Sequence, residues 1–170
     1  KVLDYAEEKL GTPTILINNA AYSTRDGYQK LDAAVIDAHY AVNMRTTMLL
    51  AAEFARRYGG NPHGRIINMS SGQSLGPMPD ELAYIATKGA IEAFTRTLAA
   101  EVAHLGITVN AVNPGATDTG WMTPEFQQEW ISNMRMGRVG MPQDAARLIL
   151  FLASEAAGWI TGQVIHSTGI

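Results

Sequence analysis

Short apolar runs alternate along this chain with long segments of helical periodicity, and this alternation restricts the possible folds more than any other feature. Strands that alternate with long helices predict right-handed crossovers, and therefore a mostly parallel sheet with a layer of helices on each face. Four runs bounded by turn residues predict strands: 14–17, 65–69, 107–112 and 162–167. The predicted helices are 2–10, 31–58 with a stop at 59–62, 81–105 and 142–153, while 116–139 carries mixed turn and helix signals.

Small and amide side chains follow three of the predicted strands. They lie in segments 18–21, 70–72 and 113–115. In sheets of this kind ligands bind beyond the carboxyl ends of the strands, so the three turns together predict one continuous cleft. Each turn taken alone is equally consistent with a structural role, because Asn, Ser, Pro and Gly are the ordinary residues of strand-to-helix turns.

Composition argues against several classes of partner and site. With 13 basic and 16 acidic residues, the chain has no electrostatic feature that favours nucleic acid or an anionic membrane. No stretch approaches the ~18 apolar residues of a membrane-spanning helix. A chain without cysteine forms no disulfide or thiolate metal site, and a cytoplasmic location is expected. No metal is expected, and all four histidines are predicted at the surface or at caps because none has a metal-binding spacing: His39, His63, His104 and His166.

Tyr84 and Lys88 are four residues apart near the start of the third predicted helix and so share one face of it. A lysine ammonium beside a phenol favours the phenolate, which predicts a lowered tyrosine pKa and a general acid or base. Ser71 precedes Tyr84 by 13 residues at a strand end, where its hydroxyl could bind the oxygen of a carbonyl substrate together with the Tyr84 hydroxyl. A lone Tyr-x-x-x-Lys pair is equally typical of an exposed helix face.

Taken together and in order, these motifs resemble the short-chain dehydrogenase/reductase family. The resemblance covers the whole chain, and its nearest subgroup is the 3-oxoacyl-carrier-protein reductases, on segments 106–110 and 151–154. The motifs are Asn18-Asn19-Ala20, Asn43, Ser71, Tyr84-x-x-x-Lys88, Asn113-Pro114-Gly115 and Arg138-Val139-Gly140-x-Pro142.

The resemblance implies a fold and an activity. The fold is a three-layer α/β, Rossmann-like, doubly wound parallel sheet. The activity is hydride transfer between NAD or NADP and a ketone or secondary alcohol, with a 3-oxoacyl thioester as one candidate substrate. A homo-oligomer, either a dimer or a tetramer, is expected as well. The alternative is a catalytically silent relative that binds a ligand or serves as an oligomerisation module, and the intact set of motif residues argues against it.

The resemblance also assigns roles to individual residues. Tyr84 would exchange the proton with the substrate oxygen and Ser71 would polarise that oxygen. Lys88 would lower the Tyr84 pKa and bind the nicotinamide ribose, while the helix backbone at Asn43 would hold a water that links Lys88 to solvent. Trp121 and Met122 would cover the substrate together with Ser71 and Tyr84. The remaining cofactor contacts would come from Asn18, Ala20, Pro114, Gly115, Thr117 and Thr119.

The chain departs from the family pattern in two places. Ala21 stands where the family more often has glycine, which is tolerable if the backbone there is not in a glycine-only conformation. The glycine-rich pyrophosphate loop is missing from the 16 glycines present. We therefore expect residues 1–170 to form a single domain, the C-terminal two-thirds of the family's dinucleotide-binding domain, without its first βαβαβ portion. Strand 14–17 would then be an exposed apolar edge.

Overall fold

The computed structural model describes residues 1–60 and 63–169, and its centre is a four-stranded parallel sheet. The strands are β1 (Ile15–Asn18), β2 (Gly64–Met69), β3 (Ile107–Asn113) and β4 (Val164–His166). They are ordered β1-β2-β3-β4, with Ile66 beside Leu16 on one side and Val109 on the other. The predicted parallel sheet is therefore confirmed, with strand limits that differ from the predicted ones by a few residues.

The predicted helices are present. Residues 33–57 form one continuous helix whose middle turns are π-helical, and the Asp32 carboxylate caps its start by accepting the Val35 N–H at 2.8 Å. This helix ends before Tyr58, and residues 61–62 of its predicted stop lie outside the described residues. The helices are α1 (Val2–Leu10), α2 (Gly27–Lys30), α3 (Ala33–His39), the π-helical segment Tyr40–Thr46, α4 (Thr47–Arg57), α5 (Leu82–Val102), α6 (Pro124–Asn133) and α7 (Pro142–Ala153).

Apolar side chains on the two sides of the sheet form two separate core clusters. Because successive side chains of a strand point to opposite faces, Ile66 packs on one side and Ile67 on the other. Ile66 contributes to a cluster with residues of α1, α4 and α5, such as Leu3, Phe54 and Leu98. Ile67 packs with Leu152 of α7. The prediction of a helix layer on each face is thus confirmed.

Strand β1 lies at the edge of the described sheet. It pairs only with β2, and Ile15 and Ile17 are 45% and 44% exposed, whereas Asn18 is buried. An interpretation of this run as a buried strand is wrong for these two isoleucines, because they point to the sheet face opposite Leu16 and belong to neither of the two core clusters of the described residues. The exposed apolar edge that the sequence also predicts is what the structure has.

Two further expectations concern histidines and membranes. His39 is wholly buried rather than at the surface, with its ring placed between the Val35 carbonyl and the Thr24 N–H, whereas His63, His104 and His166 are exposed. Among the described residues no three acidic or histidine side chains are grouped as metal ligands. Within residues 1–60 and 63–169, no helix combines the length and apolarity needed to cross a membrane.

Candidate active site

Tyr84 and Lys88 lie in the first two turns of α5, which starts beside the carboxyl ends of the strands. A distant loop fixes this end of the helix, since the buried Asp26 carboxylate accepts the Ala83 N–H at 3.0 Å. Asp80, two residues before α5, has φ +65°, a left-handed conformation that turns the chain into the helix. Sequence reasoning missed Asp26, because nothing in its local pattern connects it to a helix 57 residues away.

Tyr84 is largely enclosed, and this burial raises its pKa above 10. A hydrogen bond with the Ser71 side chain acts in the opposite direction, and the charge of Glu81 raises the pKa further. The net direction is the opposite of the lowered pKa predicted from the Tyr84–Lys88 spacing, because desolvation of the phenolate outweighs the other effects. In the ligand-free chain the phenol is therefore protonated at neutral pH.

Lys88 is 3% exposed and its ammonium group is held at the end of β2. Nζ donates to the Met69 carbonyl at 2.8 Å and lies 5.5 Å from the centre of the Tyr84 ring. Burial lowers the pKa of Lys88 to about 8, since a low-dielectric surrounding disfavours the charged form. Lysine at this position is a mostly protonated but readily deprotonated group near neutral pH.

Ser71 follows β2 and brings a hydroxyl to the same place. Its backbone is extended, and a short 3₁₀ turn over Gly72–Ser74 comes directly after it. The hydroxyl donates to the Met78 sulfur at 3.8 Å and is close enough to Tyr84 to lower the pKa of its phenol. The structure therefore brings Ser71, Tyr84 and Lys88 together, as the sequence predicts.

Asn43 lies in the π-helical segment and is 2% exposed. Its side chain binds both backbone groups of Tyr22, accepting the N–H at 2.7 Å and donating to the carbonyl at 2.9 Å. A third hydrogen bond, at 3.0 Å, goes to the Thr87 hydroxyl of α5, one residue before Lys88. Asn43 thus joins the loop after β1 to the helix that carries Tyr84, and π-helical turns of this kind are frequent at functional sites.

The turn after β1 is joined to the sheet by Asn18. Its amide donates to the Asn68 side chain at 2.8 Å, and Asn68 in turn donates to Thr95 of α5 at 2.9 Å. The Asn18 side chain therefore holds β1 against β2. Ala20 is exposed at the same sheet edge, and Ala21 has no positive φ, so alanine is accommodated there without strain.

The turn after β3 is rigid. The side-chain oxygen of Asn113 accepts the Gly115 N–H at 2.9 Å, and the Thr117 hydroxyl donates to the Pro114 carbonyl at 3.0 Å. Glycine is required at position 115 for two reasons: its φ is +68°, and a Cβ there would lie 2.9 Å from the Thr168 Cα. Thr117 also pairs with Gly140, which joins this turn to the segment before α7.

The segment after this turn presents aromatic side chains. The Trp121 indole N–H donates to the Thr117 carbonyl at 3.1 Å, and its ring packs on Phe126 with 5.2 Å between centres. Trp121 is 56% exposed, whereas Met122 points into the protein and is 9% exposed. Thr119 is exposed between them and the turn. In the described part of the chain, the hydrogen bonds and ring contacts of Trp121 do not extend to Ser71 or Tyr84.

Comparison with known proteins gives a consistent result. Residues 1–169 match the family model described as enoyl-(acyl carrier protein) reductase. The uncharacterized oxidoreductase YjdA of Bacillus subtilis is 63% identical over 164 residues, which are 95% of this chain and 65% of that protein. The 3-oxoacyl-[acyl-carrier-protein] reductase FabG of Rickettsia felis is 34% identical over 158 residues, or 91% of this chain and 66% of that protein.

Solved structures agree with these matches. The promiscuous reductase LugOII, which catalyses keto-reduction at C1 during lugdunomycin biosynthesis, superposes with a TM-score of 0.89 and 37% identity over 98% of this chain and 68% of its own. The angucycline C-6 ketoreductase LanV with bound NADP superposes with a TM-score of 0.89 and 31% identity, over 98% of this chain and 66% of its own. The chain thus spans about two thirds of the length of the relatives it matches.

Proposed function

The chain belongs to the short-chain dehydrogenase/reductase family, and on that premise we propose that it is an oxidoreductase that transfers a hydride between NAD or NADP and a ketone or secondary alcohol. The observation that carries the proposal is the grouping of Ser71, Tyr84 and the buried Lys88 at the carboxyl edge of the sheet. Support also comes from relatives named as keto-reducing enzymes, one of them with NADP bound.

The donor set fits the nicotinamide and ribose end of such a cofactor. We assign the ribose hydroxyls to the Lys88 ammonium and the Tyr84 hydroxyl, and the nicotinamide to the rigid turn at Pro114, Gly115 and Thr117. Asn18, Ala20 and Thr119 complete the proposed contacts. When bound, the cofactor supplies or accepts the hydride, while the protein provides orientation and proton transfer.

The Tyr84 phenol is proposed to act as general acid in the direction of carbonyl reduction. Its raised pKa keeps the proton on the phenol at neutral pH, as an acid requires. The Ser71 hydroxyl donates a second hydrogen bond to the same substrate oxygen. Proton donation leaves a phenolate, and the Lys88 ammonium, whose Nζ lies 5.5 Å from the centre of the ring, is proposed to stabilise that charge.

The segment around Asn43 is proposed to hold a water through which Lys88 exchanges protons with solvent. The Asn43 side chain fixes Tyr22 and Thr87, and the helix backbone beside it is assigned to a water that connects Lys88 with solvent. Because the side chain is wholly used in contacts, this role belongs to the backbone of the π-helical segment.

The substrate is proposed to be a ketone with an apolar or acyl group, of which a 3-oxoacyl thioester is the narrower candidate. The exposed Trp121 and the neighbouring Met122 supply an aromatic and adaptable surface next to the turn after β3. Similarity to proteins named 3-oxoacyl-[acyl-carrier-protein] reductase supports the thioester.

We further propose that residues 1–170 belong to a single domain that works in a cytoplasmic homo-oligomer, a dimer or a tetramer. Large apolar side chains are exposed on helices and next to β4, where a second copy would cover them. Examples are Trp159, which is 99% exposed, Leu150 at 70% and Leu49 at 62%.

The test is Tyr84→Phe, assayed against a panel of ketones that includes a 3-oxoacyl thioester, with each of the two cofactors. Loss of general acid catalysis should reduce kcat by about 10²–10⁴-fold. Tyr28→Phe is the matched control, because Tyr28 is 82% exposed and should leave kcat unchanged. Turnover of Tyr84→Phe close to that of the wild type would refute the assignment.

A further inference from the structure

Glu92 is a buried carboxylate that the proposed reaction does not use. It lies in α5 and is 6% exposed. Its Oε1 accepts hydrogen bonds from the Ser70 hydroxyl at 2.6 Å and from the Gln73 amide at 2.7 Å, and the Ser74 hydroxyl lies 3.4 Å from the same atom. A carboxylate is costly to bury unless such partners satisfy it, so its presence here requires an explanation.

The partners of Glu92 lie on both sides of Ser71. Ser70 is the residue before it, and Gln73 is two residues after it in the 3₁₀ turn. Gln73 also donates to the Ser70 hydroxyl at 3.3 Å, which closes a small ring of polar contacts around the carboxylate. One carboxylate oxygen is therefore hydrogen-bonded to side chains on each side of Ser71.

The same carboxylate is rigidly connected to the two other reacting side chains. Glu92 follows Lys88 by four residues and Tyr84 by eight, which is one and about two turns of the same helix. A movement of the segment around Ser70 relative to Glu92 is therefore a movement of the Ser71 hydroxyl relative to the Tyr84 phenol.

We propose that Glu92 is a positioning residue that holds the Ser71 hydroxyl against the Tyr84 phenol through Ser70 and Gln73. The consequence for turnover rests on the proposed function, whereas the geometric claim does not. All three side chains around Oε1 are neutral donors, and burial is the cause of the lowered Lys88 pKa. Glu92 thus acts through its acceptor oxygen rather than through its charge.

That distinction selects the variants. Glu92→Gln keeps one acceptor oxygen, loses the charge and has an amide nitrogen in place of the second oxygen, whereas Glu92→Leu keeps approximate volume and loses the acceptor. Ser70→Ala removes one donor from the opposite side without changing α5. It supplies a second variant in case a leucine at position 92 prevents folding, which circular dichroism and thermal unfolding will show.

The first readout is the ionisation of Tyr84, followed by ¹³Cζ-tyrosine NMR as a function of pH and assigned with Tyr84→Phe. Loss of the Ser71 hydrogen bond should move this ionisation to higher pH in Glu92→Leu and Ser70→Ala, in the direction that Ser71→Ala gives, while Glu92→Gln should match the wild type. This readout needs no substrate, so it decides the proposal even if the proposed oxidoreductase activity is absent.

The second readout is steady-state kinetics. Misplacement of a reacting group by about 1 Å can reduce rate by about 10²-fold, so kcat should fall by about 10–10²-fold in Glu92→Leu with the KM for cofactor unchanged. Glu92→Gln should stay within about threefold of the wild type. Wild-type Tyr84 ionisation in folded Glu92→Leu and Ser70→Ala would overturn the proposal, as would a Glu92→Gln variant as impaired as Glu92→Leu.

Discussion

Replacement of Lys88 by methionine is expected to stabilise the fold while it abolishes the proposed activity. The ammonium group is enclosed, with 3% of the residue exposed, and burial lowers its pKa from 10.5 to about 8. Nζ donates a hydrogen bond to the Met69 carbonyl. Methionine has a similar length and no charge to desolvate, so it can fill the same space.

The magnitude follows from the difference in the Lys88 pKa between the unfolded and folded chain. The Lys88 pKa falls from 10.5 to about 8 on folding, and each pKa unit corresponds to about 1.4 kcal/mol. Burial of the charged lysine therefore lowers the free energy of unfolding by about 3 kcal/mol. Loss of the hydrogen bond to Met69 offsets about 1 kcal/mol of this gain. We therefore expect Lys88→Met to be about 2 kcal/mol more stable than the wild type at pH 7.

The pH dependence has a definite sign. Below pH 8 lysine is charged in both states and the penalty is constant. Between pH 8 and 10.5 the unfolded chain still binds the proton that the folded chain has released, so the stability of the wild type rises with pH. The advantage of Lys88→Met should therefore shrink by about 1.4 kcal/mol for each pH unit above 8.

Urea denaturation from pH 7 to 10 measures this difference. The proteins with lysine and with methionine at position 88 should both carry Tyr84→Phe. Otherwise the raised pKa of Tyr84 would make stability depend on pH near pH 10 for a second reason. A stability difference that does not change with pH would refute the conclusion that burial governs the charge of Lys88. So would a methionine variant that is less stable than the wild type throughout.

Two further predictions concern stability. Asn43→Ala removes the three hydrogen bonds to Tyr22 and Thr87 and should lower the free energy of unfolding, measured with urea, by about 2–3 kcal/mol. The control is Arg45→Ala on the exposed side of the same segment, which should cost less than about 0.5 kcal/mol. Equal losses in the two variants would contradict the prediction. Gly64→Ala should destabilise by about 1–3 kcal/mol because its Cβ would lie 2.7 Å from Ile107 and 2.8 Å from Tyr58. In Gly89→Ala of α5 the new Cβ meets no atom within 4 Å, and alanine should stabilise the helix by about 0.5–1 kcal/mol. Thermal unfolding midpoints of Gly64→Ala and Gly89→Ala that shift in the same direction would contradict these two predictions.

Features that local chemistry determines could be predicted from the sequence. Helix α7 has the predicted limits because Pro142 suits the first helical turn and Asp144 accepts the Met141 N–H at its start. The parallel order of strands followed from their alternation with helices. The exposure of Ile15 and the burial of His39 depend on neighbours distant in sequence, and periodicity alone does not specify them.

The grouping of Ser71, Tyr84 and Lys88 could also be predicted, whereas its electrostatics could not. A spacing of four residues places two side chains on one helix face, but the sign of a pKa shift depends on how much water the surrounding fold removes. Burial proved to be the largest effect on both Tyr84 and Lys88. Glu92 could have been found by one signal, a carboxylate one turn after Lys88 on the core-facing side of a helix.

The core-facing side of α5 changes character along its length, and this change explains why the site and the fold depend on each other. Toward its end the buried residues are apolar, such as Leu98 and Val102, and they pack in the core cluster of that face. Before Leu98 the buried residues include four polar side chains beside the apolar Ala83 and Ile91. Thr87 binds Asn43 of the π-helical segment, whereas the other three bind the end of β2 and the residue after it: Lys88 binds Met69, Glu92 binds Ser70 and Thr95 binds Asn68. Apolar packing thus anchors one end of the helix, and directional hydrogen bonds orient the end that carries Tyr84. Substitution of the polar residues by apolar ones could preserve burial, but it would remove the contacts that fix the reacting groups relative to one another.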